Sequence, residues 1–168
     1  MNSRTKYVAH AALVAATYAS LTIFLAPISF GPLQIRVAEA LTVLPYLFPS
    51  AIWGLWLGCF LGNIYGGLGP IDMLGGSTIT LIAAWLTAYL RRFNKPMLAP
   101  LPAVIGNALG VSAYLQFLLA PPPITFGHLQ QLPPYLLFVI TIGLGQLIAC
   151  YGLGYPLLLI LMRKLPQE

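Results

Sequence analysis

Three charged side chains stand inside otherwise apolar sequence: Arg36, Glu39 and Asp72. Arg36 and Glu39 are three residues apart, a spacing that puts both on one face of a helix. An unpaired charge at the centre of a bilayer costs ~2.5–3.5 kcal/mol, so such residues pair with each other or serve a ligand. Both readings stand here: an ion pair that lets the helix insert, or the polar wall of a cavity. Asp72 follows Gly69-Pro70, where a carboxylate can satisfy the orphan N–H groups of a starting helix or meet a ligand. With Glu168, these two are the chain's only acids. Asn63, Asn107, Gln116 and Gln146 are further polar residues in apolar segments. Amide hydrogen bonds between helices, worth about 0.6–2 kcal/mol, are their ordinary use. Asn63 is the best placed of the four for a ligand, while His128, in a proline-rich connection, reads as a solvated loop residue.

The elements that must position these groups are set by composition. Of 168 residues, 59% are hydrophobic and only 7% are charged, against roughly 25% charged in an average soluble domain. Mean hydropathy is +0.86. Eleven charges cannot cover the surface of a soluble globule, so a water-soluble enzyme, a nucleic-acid binder and a disordered tail are excluded. The chain reads as a single all-α integral membrane domain over residues 1–168. Cys59 and Cys150 lie in apolar segments without metal-ligand spacing, so no metal site is expected.

A span needs about 20 helical residues. That ruler gives six candidates: Tyr7 to Leu25, Leu33 to Phe48, Ala51 to Tyr65, Ile71 to Leu90, Pro96 to Leu119 and Pro134 to Met162. The first is too long in its apolar run for a cleaved signal peptide and reads as a retained helix. Seven of the eight basic residues form three clusters, Arg4/Lys6, Arg91/Arg92/Lys95 and Arg163/Lys164. Six spans with a cytoplasmic N-terminus put all three clusters, and the C-terminus, inside. The connections near residues 27–32, 66–70 and 120–133 carry no Lys or Arg and fall outside.

Two ladders of small residues recur at helical spacing. Gly54, Gly58, Gly62 and Gly66 leave the third segment with one almost bare stripe, which permits close approach of a helix or a flat ligand. Ala11, Ala15 and Ala19, with Ala12 and Ala16 beside them, make a second stripe on the first segment. It is either an internal seam or a docking surface. The chain lacks the P-loop pattern and the HExxH, GxSxG and CxxC motifs. An enzyme is not expected, and ATP would have to be used by other subunits. What remains is a membrane receptor with an outward polar pocket.

The stretch from Leu33 to Ala88 carries a recognisable combination: Gln34-x-Arg36-x-x-Glu39-Ala-Leu, Leu44-Pro45, Gly58-Cys59 with Asn63, and Gly69-x-x-Asp72 followed by Gly75 and Thr80. It resembles the QueT family, the substrate-binding S components of energy-coupling factor (ECF) transporters. The resemblance implies a six-helix bundle in a prokaryotic cell membrane that captures a queuosine precursor, a 7-deazaguanine such as queuine or preQ1. It implies partners: a shared ECF transmembrane subunit and two ATPase subunits, with the alanine stripe Ala11, Ala15, Ala19 as the docking surface. An S component for another vitamin or nucleobase is the alternative, and a non-transport membrane protein a more distant one. For a guanine-like ligand, the expected contacts are Arg36, Glu39, Asn63, Asp72, Asn107 and Gln146, with Tyr65, Tyr46 or Trp53 stacking on the ring.

Overall fold

The computed structural model describes residues 2–31, 34–122 and 132–164. Among them the secondary structure is helical, and four helices are long and apolar enough to cross a membrane. Helix α1 is Ser3–Phe24, followed by a single turn, α2, at Ala26–Ser29. A 3₁₀ helix, Val37–Tyr46, comes next, then α3, Ala51–Gly66, and α4, Pro70–Leu90. Two 3₁₀ turns, Arg91–Phe93 and Pro96–Leu98, lead into α5. This helix runs through Leu101–Ile105, a π-wound stretch Gly106–Val111, and Ser112–Leu118. The last helix, α6, is Pro134–Lys164, with a π-wound stretch at Leu147–Gly154.

Proline and glycine punctuate the chain where expected. Pro70 stands in the first turn of α4, where its missing N–H costs nothing. The reversal from α3 to α4 is made by Gly67 (φ 72°) and Gly69 (φ 92°), both in backbone conformations that L side chains rarely adopt. Gly67 closes α3 as its left-handed cap, its N–H donating to the Asn63 carbonyl.

The expected α-helix from Leu33 to Phe48 is corrected. The helical part is shorter, Val37–Tyr46, and it is 3₁₀ in winding. At about 2.0 Å per residue its 10 residues still rise about 20 Å, more than the same residues would as α-helix. It packs against α1, α4 and the π-wound stretch of α6, so it is a central element. Ala38 and Val43 on it are fully buried.

The alanine stripe is an internal seam at Ala11 and Ala15. A methyl built on Gly54 would fall 2.5 Å from the Ala11 carbonyl oxygen, and one on Gly58 would fall 2.9 Å from that of Ala15 and 2.7 Å from Tyr18 Cβ. On Gly62 it would meet Thr22 at 3.0 Å. The glycine ladder of α3 thus takes the backbone of α1 directly, at the distances van der Waals packing in a bilayer requires. Ala15 and Ala19 are buried, whereas Ala12, Ala16 and Ser20 face outward. Of the three stripe residues, Ala15 and Ala19 are buried and Ala11 is half-buried.

Gly58→Ala is expected to destabilise the fold by about 1–3 kcal/mol through overpacking, seen as a lower thermal unfolding midpoint in detergent. Ala16→Leu, on the outward face, should leave that midpoint unchanged.

Candidate functional site

The 3₁₀ helix, α3, α4, α5 and α6 enclose a polar cavity at the end of the bundle where α3 turns into α4. Phe30, Gln34 and Leu68, each partly exposed, lie at its outer end, with Asp72 buried just inside them. Thr80 lies eight residues further along α4 than Asp72, so the cavity reaches about 12 Å inward at 1.5 Å per residue. Glu39, Cys59, Asn107 and Gln146 line the deeper part. Space open to the centres of water molecules is only about 20 Å³, room for roughly one water. A flat bicyclic ligand therefore needs side chains at the mouth to move.

Six of the seven residues expected to bind substrate, Arg36, Glu39, Asn63, Asp72, Asn107 and Gln146, line this one cavity. Tyr65 does not. It is 58% exposed on the outer side of α3, because one residue of helix turns a side chain about 100° from its neighbours. Of the other stacking candidates, Tyr46 is buried among Val43, Ala99 and Leu158, away from the cavity, and Trp53 is exposed beside Trp56. The aromatic side chains on the cavity are Phe30 and Tyr114. Gln116 donates to the Ala113 carbonyl of its own helix. His128 lies outside the described residues.

Arg36 and Glu39 share the cavity without bonding each other. Glu39 is 1% exposed; its Oε1 accepts the Tyr18 hydroxyl, and its Oε2 has no hydrogen-bond partner among the described residues. Arg36 Nη1 instead approaches Cys59 Sγ at 3.7 Å, and the guanidinium lies 5.2 Å over the Phe30 ring. That sulfur also faces Thr80 Oγ1 at 3.3 Å and Asn63 Nδ2 at 3.7 Å, so three donors converge on it. The direct ion pair is absent.

Asp72 stands in the first turn of α4, yet its carboxylate makes no capping bond. Oδ1 accepts the Tyr114 hydroxyl at 2.8 Å, and the backbone carbonyl accepts Asn63 Nδ2 at 3.0 Å. Oδ2 and Asn63 Oδ1 are buried without partners among the described residues. Three acceptors on the cavity wall, Glu39 Oε2, Asp72 Oδ2 and Asn63 Oδ1, are thus uncommitted. An unmet buried acceptor costs about 1–3 kcal/mol, and the wall as a whole asks for a ligand rich in N–H donors.

The backbone around the cavity is irregular where it carries these groups. Asn107 lies in the π-wound stretch of α5, and Gln146 immediately precedes that of α6. Such windings recur at functional sites because the extra residue widens the turn and re-aims its side chains. Gln34, at the mouth, has φ 45°, a strained value for a residue with a side chain. Tyr18, Tyr114, Phe30 and Gln34 were not singled out as contacts from sequence. Tyr18 and Tyr114 are 21 and 42 residues from the acids they serve, and no spacing rule links residues so far apart.

Tyr18→Phe removes the hydroxyl that donates to Glu39 Oε1 and should lower stability by about 1–3 kcal/mol. A detergent-solubilised variant with an unchanged unfolding midpoint would show that this hydrogen bond carries no weight.

The chain matches the QueT transporter family over residues 8–163. No curated protein and no solved structure matches it.

Proposed function

The chain belongs to the QueT transporter family, and from that premise we propose that it is the S component of an ECF-type importer for a queuosine precursor, a 7-deazaguanine such as queuine or preQ1. The observation that carries this reading is the trio of uncommitted acceptors on the cavity wall, Glu39 Oε2, Asp72 Oδ2 and Asn63 Oδ1. A 7-deazaguanine brings a ring N–H and an exocyclic amine on one edge, the donors such a wall lacks. Its aminomethyl substituent is a cation, and two carboxylates facing one guanidinium leave one negative charge to receive it.

In this reading Glu39, in the deeper part, takes the ring edge, and Asp72, at the mouth, takes the ammonium. Arg36 donates to the ring carbonyl, Asn107 and Gln146 meet the remaining polar atoms, and Phe30 or Tyr114 covers the ring face. Tyr18 and Tyr114 hold the two carboxylates in place by occupying one oxygen of each. The cavity opens at the bundle end whose connections lack lysine, so it faces outward by the charge asymmetry of the loops. Six crossings with both termini inside fit this arrangement, the 3₁₀ helix serving as one of them.

The energy comes from elsewhere, since the chain carries no P-loop. A shared transmembrane subunit and two ATPase subunits supply it. Docking on α1 then uses the outward face of Ala12 and Ala16 rather than the buried Ala15 and Ala19.

Glu39→Gln puts a donor where an acceptor is needed. It should weaken binding of preQ1 by about 1–3 kcal/mol or more, roughly ten- to a hundredfold, in calorimetric titration of folded protein. Wild-type affinity in that variant would sink the proposal. Asp72→Asn should weaken preQ1 tenfold or more while barely changing the neutral 7-cyano analogue; equal losses for both would reverse the assignment of the two acids.

Paired replacement of Ala12 and Ala16 by Leu tests the docking face. The variant should bind preQ1 normally, fail to co-purify with the ECF subunits and stop ATP-driven uptake. Retained co-purification and uptake would rule that surface out.

A further inference from the structure

A second cavity lies between α4 and α5, on an adjoining face of α4, and none of its lining belongs to the polar site. It is a groove of about 540 Å³ with almost purely apolar walls, Ile79, Ile82, Leu86, Leu101, Ile105 and Leu109 among them. At one end the two helices touch: a methyl on Gly110 would fall 2.8 Å from Ile79 Cδ1, and one on Gly106 would fall 3.2 Å from Ile79 Cγ2. At the other end Tyr89 and Leu90 face Leu101 and Pro102, and the connection between them carries Arg91, Arg92 and Lys95, all exposed. From Ile79 to Leu90 the α4 wall rises about 16 Å. That is half of the ~30 Å hydrocarbon core, the depth of one leaflet.

We propose that this groove is a binding site for an anionic phospholipid, one acyl chain lying in the groove and the phosphate held by the Arg91–Lys95 connection. Charge and geometry meet at one residue. The Arg92 guanidinium lies 3.7 Å over the ring of Tyr89, itself a wall of the groove, and 5.1 Å over that of Phe93. A cation is thus held at the rim in a fixed place, with two more within four residues. Among the described residues the acids are Glu39 and Asp72, and both line the other cavity. Basic residues at the mouth of an apolar cleft between transmembrane helices are the chemistry that selects anionic headgroups. The groove's length favours a lipid chain over a partner helix, which would need a surface running the full depth of the membrane.

The test is native mass spectrometry of the detergent-purified chain titrated with phosphatidylglycerol or phosphatidylcholine of matched acyl chains. The wild type is expected to retain one phosphatidylglycerol, at least tenfold more tightly than phosphatidylcholine. Replacing Arg92 and Lys95 together by Gln should remove that preference. Leu109→Trp, at an exposed groove position, should reduce retention of both lipids; if circular dichroism shows it misfolded, Ile105→Trp, equally exposed, takes its place. Equal retention of the two lipids by the wild type, or unchanged retention in both kinds of variant, would overturn the proposal. So would displacement of phosphatidylglycerol by millimolar inorganic phosphate, which marks a bare anion site. A cross-link joining Ile82 to a second copy of the chain or to another protein's helix would also overturn it.

Discussion

The close approach of α1 and α3 is the contact on which the site depends. Gly58 has no side chain, so Tyr18 can sit against the α3 backbone, and from there its hydroxyl reaches Glu39 on the 3₁₀ helix. A carboxylate at that depth would lose its hydrogen bond on Oε1 without this donor, in a low-dielectric interior where an unpaired polar group is most costly. The bare turn at Gly58 thus supports the buried acid Glu39 through Tyr18. The same logic holds across the cavity, where Gly76 leaves room beside Asn63 Nδ2 and Tyr114 Oη, the two groups that bond Asp72.

Each carboxylate is held by one tyrosine on one oxygen and leaves the other free. That division separates positioning from binding. The tyrosines restrict where Glu39 and Asp72 point, and in the proposed reading the free oxygens, with Asn63 Oδ1, receive the ligand's donors. Arg36 reduces the net charge of the wall without consuming either carboxylate, since it turns to Phe30 and Cys59.

The irregular windings serve the same end. A 3₁₀ helix at Val37–Tyr46 covers more depth per residue than an α-helix, and of the cavity's amides Asn107 lies within the π turn of α5 and Gln146 just before that of α6. In a bilayer such departures are tolerated where the freed backbone groups are buried in protein or face a polar cavity. Here they lie beside one.

What the sequence by itself determined is the membrane class, the helix ends near Tyr65, Ile71 and Pro134 to within a residue or two, and the acids, amides and guanidinium that had to be kept out of lipid. Six of seven expected binding residues meet in one cavity because a polar group in an apolar chain has few other places to go. Tyr65 could not be placed that way, nor could the inward face of α1. A helix that is apolar on all sides carries no periodic signal for which face is buried, since lipid and protein interior are equally apolar. Only tertiary packing turned Ala11 and Ala15 toward the glycines of α3 and left Ala12 and Ala16 outside. Only packing, too, chose Tyr18 and Tyr114 among nine tyrosines as the partners of the acids, for a hydrogen bond between distant segments is decided by where their helices meet.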